Sequence, residues 1–96
     1  MSLRFLEEAP QEFHRAIRYY EEKSPGLGGE LLTDVERLED LLGSNPELGS
    51  PGESGTRRLL LRSFPFVLVY LLVDREPLIV AFAHQSREPG YWVDRT

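Results

Sequence analysis

The 96-residue chain has the length of one domain and can bury a core of modest size. It contains no cysteine, which excludes a disulfide framework, a thiolate metal site and a cysteine nucleophile and fits a reducing cytoplasm. No apolar stretch is long enough for a membrane-spanning helix, and the N-terminus lacks the pattern of a signal peptide. We therefore expect one cytoplasmic domain over residues 1–96 that does not associate with a membrane.

The net charge of −5 is distributed unevenly. Residues 1–53 carry five basic and twelve acidic side chains, a net −7, whereas residues 54–96 carry six basic and four acidic side chains, a net +2. This balance excludes the basic field over the whole surface that nucleic-acid-binding domains use. A local basic patch on the C-terminal half is compatible with it.

Two amphipathic helices are predicted after a short strand at residues 3–6. Four residues of the first helix, Phe13, Ala16, Ile17 and Tyr20, are spaced to form one apolar face, and Glu12 lies near the positive end of its dipole. The second helix runs from residue 27 or 28 to residue 42. Its expected apolar stripe consists of Leu31, Val35, Leu38 and Leu42, widened by Leu32 and Leu41. The short connection at residues 24–26 predicts a helical hairpin.

Three consecutive strands are predicted after a loop at residues 45–55. The central one, residues 66–73, is an unbroken apolar run typical of a strand that is covered on both faces. On the strand before it, Arg58, Leu60 and Arg62 are expected to share a face. On the strand after it, the alternation predicts a face of small residues, including Ala81 and Ala83, that a helix could approach closely. The expected fold is α+β, in the order β-α-α-β-β-β, with the hairpin on a small antiparallel sheet.

Standard catalytic motifs are missing from the sequence. The glycine-rich segment at residues 49–55 lacks the lysine and hydroxyl residue of a phosphate-binding loop, and no nucleophile elbow is present. Two histidines, His14 and His84, are too few and too widely separated to predict a metal site. We therefore expect neither a metal nor a cofactor.

One cluster of basic and aromatic residues can be assembled at the rim and the tail of the predicted sheet. Its members are Arg58, Arg62, His84, Arg87, Tyr91 and Trp92. Such groups can bind a phosphate and stack on a base, and His84 or Tyr91 could transfer a proton. A purely structural interpretation is equally compatible: the arginines would pair with helix carboxylates, and the aromatic pair would fix the tail.

Four segments, taken in order, carry a resemblance to a known family. They are residues 25–28 between the helices, residues 45–49 after the second helix, residues 57–66, and residues 83–92. Together they resemble the ParE/RelE toxin superfamily, in its ParE-like branch of plasmid stabilisation toxins, over essentially the whole chain. The resemblance implies a toxin of a type II toxin–antitoxin pair, held in a hetero-oligomer by a cognate antitoxin. It also implies an apolar groove beside the hairpin, or an open strand edge, that the antitoxin covers.

The resemblance leaves three hypotheses about activity. ParE-like members are associated with inhibition of DNA gyrase, and we favour such a binding toxin, which is not an enzyme. The alternative is a RelE-like endonuclease that cuts mRNA on the ribosome, with Arg58, Arg62, His84, Arg87 and Tyr91 as candidate catalytic residues. Against it, Val67 occupies the position where nucleases of the superfamily carry an arginine, which removes a source of transition-state stabilisation. The third hypothesis is a degenerate toxin that retains only antitoxin binding.

Overall fold

The computed structural model describes residues 3–88 and 90–95. Two helices, a five-stranded sheet and two short 3-10 turns follow one another along the chain. They are β1 (Arg4–Phe5), α1 (Glu8–Lys23), α2 (Leu27–Ser44), β2 (Ser50–Pro51), a 3-10 turn (Glu53–Gly55), β3 (Arg57–Leu60), β4 (Phe66–Val73), β5 (Glu76–His84) and a second 3-10 turn (Val93–Arg95). Pro89, part of the last segment quoted for the resemblance, and Met1, Ser2 and Thr96, part of the expected 1–96 domain, lie outside the described residues.

The predicted α+β class and the helical hairpin on one face of the sheet are confirmed, and the sheet has two features that were not predicted. Its strand order is β1-β5-β4-β3-β2. The short β1 runs parallel to β5, so the sheet is mixed, whereas the remaining neighbours are antiparallel. Part of the expected loop at residues 45–55 forms β2, which pairs with β3 at the opposite edge.

The helices pack on the sheet through the predicted apolar stripes. All four residues of the α2 stripe are buried, as is Ala16 of α1, and the other three residues of the α1 stripe are partly buried in the same core. Leu68 and Tyr70 of β4 supply the sheet side of this core. The expected widening of the α2 stripe is wrong, because Leu32 and Leu41 are 40% and 44% exposed.

A second, smaller core covers the opposite face of the sheet. It contains Val67 and Val69 of β4, Val80 and Ala81 of β5, and Trp92 of the tail. The central strand is therefore covered on both faces, as its unbroken apolar run predicts.

An irregularity in β5 overturns the predicted faces of that strand. The register shifts between Val69, which faces Ala81, and Tyr70, which faces Ile79, so that Val80 has no partner of its own. Such a bulge turns two successive side chains to the same side of the sheet. Val80 and Ala81 consequently belong to the core beneath Trp92, whereas Ile79 packs under the helices. The expectation that a helix approaches the small residues of β5 is wrong, because these residues face the tail.

The tight hairpin between α1 and α2 depends on a close approach and on one carboxylate. A Cβ on Gly28 would lie 2.9 Å from the carbonyl oxygen of Ile17, which is closer than real contacts allow. The Glu21 carboxylate accepts hydrogen bonds of 3.0 Å from the backbone N–H groups of Gly26 and Gly28. It thereby satisfies N–H groups that the start of α2 would otherwise leave without partners.

The loop between α2 and β3 is fastened by a buried tyrosine on β4. The hydroxyl of Tyr70 donates to the carbonyl of Pro46 at 2.8 Å and accepts from the N–H of Gly49 at 2.8 Å. Arg57 adds hydrogen bonds to the carbonyls of Glu47 and Gly49. A segment whose composition predicts a loop is therefore held along the edge of the sheet.

We predict that Tyr70→Phe lowers the free energy of unfolding by about 1–3 kcal/mol, because it removes a hydrogen-bond partner from the buried N–H of Gly49 and from the partly buried carbonyl of Pro46. Urea denaturation followed by circular dichroism measures the change. Tyr19→Phe is the matched control, since the Tyr19 side chain is 54% exposed. Equal stability of the two variants would show that the Tyr70 hydroxyl does not fasten the loop.

Candidate functional site

An open pocket of about 400 Å³ lies on the sheet face opposite the helices. We call it the sheet pocket. Its apolar part includes Val67, Val69 and Ala83, three neighbouring residues of the two central strands. Its remaining lining comes from β3, from the segment around β2 and from the tail. These residues are Pro51, Gly52, Glu53, Arg58, His84, Gln85, Arg87, Glu88, Gly90, Tyr91 and Trp92.

Five of the six predicted site residues line the sheet pocket. Arg58 reaches it from β3, His84 from the end of β5, and Arg87, Tyr91 and Trp92 from the tail. Arg58 is paired with Val69, which faces the pocket, whereas His84 is paired with Phe66, which packs under the helices, so His84 reaches the pocket from the end of its strand. The pocket combines basic groups and acidic groups around an apolar floor.

Arg62, the sixth predicted residue, lies elsewhere. Strand β3 ends at Leu60, so the alternation that would place Arg62 beside Arg58 does not continue to it. The backbone N–H groups of Arg62 and Ser63 donate to the buried Asp34 carboxylate at 3.1 and 3.3 Å. This contact turns the chain toward α2, and Arg62 lines a separate groove beside the start of that helix.

His84 has a defined hydrogen-bonding pattern. Its Nδ1 accepts from the backbone N–H of Ser86 at 3.0 Å and lies 2.7 Å from the Ser86 hydroxyl. Because Nδ1 accepts a hydrogen bond, the neutral ring carries its proton on Nε2. The ring also meets the edge of Phe66, with centroids 5.1 Å apart. His84 is thus oriented by its own turn and lies between the sheet pocket and the helix side of the molecule.

The tail is clamped to α1 and β5 by the carboxylate of Glu12. This side chain is only 10% exposed and accepts hydrogen bonds from the Tyr91 hydroxyl at 2.6 Å and from Arg95 at 2.8 and 3.0 Å. It also accepts from the backbone N–H of Phe82 at 3.1 Å. Arg95 completes the arrangement by donating to the carbonyl of Val80 at 3.1 Å. We call this set of contacts the Glu12 clamp.

The clamp changes the protonation behaviour of its members. Burial raises the pKa of Glu12, but hydrogen bonds from Arg95, Tyr91 and the Phe82 N–H outweigh burial, and the net pKa lies below the ordinary value. Burial, followed by the hydrogen bond to Glu12, raises the pKa of Tyr91 far above its usual range. The Tyr91 hydroxyl is therefore held as a donor to a carboxylate and is a poor source of a catalytic proton.

The aromatic pair of the tail acts mainly in packing. Trp92 is 5% exposed and belongs to the core beneath β4 and β5, so it offers no free ring face for stacking on a base. The guanidinium of Arg87 lies over the ring of Tyr91, 3.8 Å from its centroid. This cation–π contact positions a positive charge at the mouth of the sheet pocket.

Sequence reasoning missed Glu12 and Arg95 as determinants of the site. Glu12 precedes the apolar stripe by one residue and lies one helical turn before Ala16, which placed it close to the buried face. A carboxylate at the margin of such a face is the available signal, but its place near the helix start equally predicts a favourable interaction with the helix dipole. Nothing in the tail sequence identified Arg95 as its partner.

A second groove, of about 420 Å³, runs between α1 and the tail, and we call it the helix–tail groove. It shares His84, Arg87 and Tyr91 with the sheet pocket. The rest of its lining is mainly aromatic and comes from α1, β4 and β5. These further residues are Glu12, Arg15, Ala16, Tyr19, Tyr20, Phe66 and Phe82.

Within residues 3–88 and 90–95, no three His, Cys, Asp or Glu side chains are grouped as they would be around a metal ion. No helix in this part of the chain combines the length and the apolar character needed to cross a membrane.

The fold and the site define a small α+β domain with a helical hairpin on one sheet face and a mixed basic and acidic pocket on the other. A family model described as the ParE toxin of the type II toxin–antitoxin system parDE matches residues 3–89. The chain therefore belongs to the ParE toxin family, as the resemblance of its sequence segments indicated.

A solved structure provides an independent comparison of the fold. It is described as the chromosomal ParDE toxin–antitoxin system from P. aeruginosa and superposes with a TM-score of 0.75. The sequence identity is 23%, and the match covers 88% of this chain and 95% of that chain. At this identity the similarity shows a shared fold. No curated protein matches the chain.

We predict that Glu12→Gln lowers the free energy of unfolding by about 1–3 kcal/mol, because the amide accepts fewer and weaker hydrogen bonds than the carboxylate. Urea denaturation followed by the fluorescence of Trp92, the only tryptophan, reports on the tail directly. Glu22→Gln removes an exposed carboxylate from the same helix and is the matched control. A Glu12→Gln variant as stable as Glu22→Gln would contradict the clamp.

The lowered pKa of Glu12 also predicts a pH dependence. The stabilisation by the ionised clamp is present above the ordinary glutamate value of 4.5 and is lost as the pH falls through the lower pKa of the folded state. Stability measured against pH below 4.5 should therefore fall less steeply in Glu12→Gln than in the wild type. Some slope remains in this variant, because the pKa of Asp34 is also lowered: burial raises it, but hydrogen bonds led by that from Arg37 outweigh burial. Glu22→Gln should keep the full slope, and identical slopes for both variants would exclude Glu12 as the titrating group.

Proposed function

We propose that this ParE-family toxin acts by binding DNA gyrase in the cytoplasm and that a cognate antitoxin neutralises it in a hetero-oligomer. The observation that carries the proposal is the apolar floor of the sheet pocket. Val67 and Val69 of the central strand form part of this floor. In nuclease relatives, the resemblance places an arginine at the position of Val67, where a positive charge would lie beside the reacting phosphate. A valine cannot stabilise the negative charge that develops during phosphodiester cleavage.

Of the two side chains that could transfer protons, Tyr91 is engaged in a structural hydrogen bond through its hydroxyl, and His84 is engaged through one of its two ring nitrogens. Tyr91 donates to Glu12, and Nδ1 of His84 accepts from Ser86. RNA cleavage requires an acid and a base that are free to exchange protons with the substrate. These contacts support a toxin that works by occupying its target rather than by cutting RNA.

The same pocket is suited to protein recognition. Arg58 and Arg87 present positive charges, whereas Glu53 and Glu88 add negative ones beside them. Protein interfaces combine an apolar centre with a polar rim, and the pocket has this pattern. A surface that binds a phosphate backbone carries mainly positive charge, and the mixed charge of the pocket does not match that requirement. This pattern supports gyrase, a protein target, over ribosomal RNA.

One observation favours the ribonuclease alternative. Arg58, His84 and Arg87 line a single pocket, and basic groups in that arrangement can bind a phosphate. The Nε2 atom of His84 carries no hydrogen bond in the described part of the chain and could meet a substrate. The alternative is therefore tested beside the favoured function.

We predict that the purified toxin, free of antitoxin, inhibits supercoiling by DNA gyrase and causes no codon-phased cleavage of mRNA on ribosomes. Arg58→Glu should reduce the inhibition at least about tenfold if the sheet pocket meets the target, because it reverses a charge at the rim. Arg75→Glu, a reversal in the exposed turn before β5, is the control and should inhibit as the wild type does.

Three results would overturn parts of this proposal. Unimpaired supercoiling at every toxin concentration would exclude gyrase as the target. Codon-phased cleavage that is lost in His84→Ala would establish the ribonuclease. Normal growth of cells that express folded toxin without its antitoxin, together with retained antitoxin binding, would identify a degenerate toxin.

A further inference from the structure

A small pocket of about 180 Å³ lies at the β1 edge of the sheet, where the start of α1 meets the middle of α2. We call it the edge pocket. It shares Phe82 with the helix–tail groove and no residue with the sheet pocket. Its lining is apolar except for His14 and Glu39. The apolar members are Phe5, Ala9, Pro10, Phe13, Val35, Leu68, Ile79 and Phe82.

The edge pocket has the volume and the walls of a site for one ring. Leu68 and Ile79, at its base, are 2% and 1% exposed and belong to the main core. The rings of Phe13 and Phe82 meet edge to face, with centroids 5.2 Å apart. Phe5 is 43% exposed, so the pocket is open to solvent at β1. An apolar cavity of about 150 Å³ stays free of water and takes up a benzene ring, so a ring of this kind fits the edge pocket.

Glu39 adds one carboxylate without a partner to this apolar lining. It is partly buried, and in the described part of the chain it accepts no hydrogen bond and forms no ion pair. Burial raises the pKa of Glu39, and the charges of Glu36 and Asp40 raise it further. A cation beside Glu39 would offset both the lost hydration and the repulsion. His14, the other polar residue of the lining, is exposed.

We propose that the edge pocket binds a small molecule that joins one apolar ring to a protonated amine, with the ring on the apolar base and the ammonium group at Glu39. The surrounding charge selects this class of ligand. Residues 1–53 carry a net −7, and Glu36 and Asp40 lie on the same helix as Glu39, so an anionic ring compound is disfavoured. The proposal is independent of the proposed function, since the edge pocket and the sheet pocket share no residue.

The test uses benzylamine and benzyl alcohol as probes, because they have the same ring and nearly the same size but differ in charge. NMR titration of the isotope-labelled chain at neutral pH measures both affinities. Benzylamine should bind with a dissociation constant of about 1 mM or lower, at least about fivefold tighter than benzyl alcohol. The N–H signals of Ala9, Phe13, Val35 and Ile79 should shift, whereas that of Trp92 should not. Equal affinities, no saturable shift, or shifts centred on other residues would overturn the proposal.

Matched variants of α2 test the role of the carboxylate. Glu39→Gln should weaken benzylamine at least about fivefold, to the affinity of benzyl alcohol, and should leave benzyl alcohol unaffected, because it keeps the apolar walls. Glu30→Gln removes an exposed carboxylate from the same helix outside the edge pocket and should retain wild-type affinity for both probes. Equal losses in the two variants would show general attraction of a cation to an acidic chain and would refute the site.

A third variant tests the pocket itself. Ala9 is 2% exposed and lines the edge pocket, so Ala9→Leu places a larger apolar side chain in the free volume. Both probes should lose affinity at least about fivefold in this variant, while circular dichroism shows that it is folded. Unchanged binding of benzylamine by folded Ala9→Leu would refute the pocket as its site. If Ala9→Leu does not fold, the comparison of Glu39→Gln with Glu30→Gln and the position of the shifted signals decide the question.

Discussion

The Glu12 clamp is the interaction on which the two concave surfaces of this molecule depend. A carboxylate on the first helix is removed from water and compensated by Tyr91, Arg95 and a backbone N–H of β5. Removing one partner leaves a buried polar group unsatisfied, and this costs more free energy than the hydrogen bond itself contributes to stability. Loss of one contact therefore weakens the whole clamp. Because the tail forms a wall of both the sheet pocket and the helix–tail groove, one carboxylate fixes the shape of both.

The two faces of the sheet differ in how much of their surface is buried in a core. The helical face contains the larger core. On this face, Asp34 holds the segment that follows β3, and Tyr70 holds the loop that follows α2. The opposite face has a small core beneath Trp92 and leaves the rest of its surface open as the sheet pocket. In this arrangement stability comes mainly from one side of β4, while the other side is available for recognition.

The sequence allowed the prediction of those parts of the fold that follow from periodicity. The α1 and α2 stripes and the bounds of β4 were foreseen because burial imposes a regular spacing on apolar residues. The short strand β1 was predicted, but its parallel pairing with β5 was not. The strand β2 was not predicted, since two residues are too few to show a period. The faces of β5 were mistaken, because nothing in the alternation marks the bulge at Val80. The basic residues of the site on β3 and β5, Arg58 and His84, were predicted. Arg62 lies elsewhere because its backbone N–H donates to Asp34. The clamp was not predicted, because it joins residues 79 to 83 positions apart.

The bulge in β5 links the length of that strand to the position of the 3-10 turn at Val93–Arg95. Val80 is left out of the paired register, and its carbonyl oxygen is the one that Arg95 reaches at 3.1 Å. An irregularity inside the sheet thus provides a docking point for the last described turn of the chain. Deletion of one residue here would give a more regular strand and a detached tail, and with it a domain that keeps its helices and loses its concave surfaces.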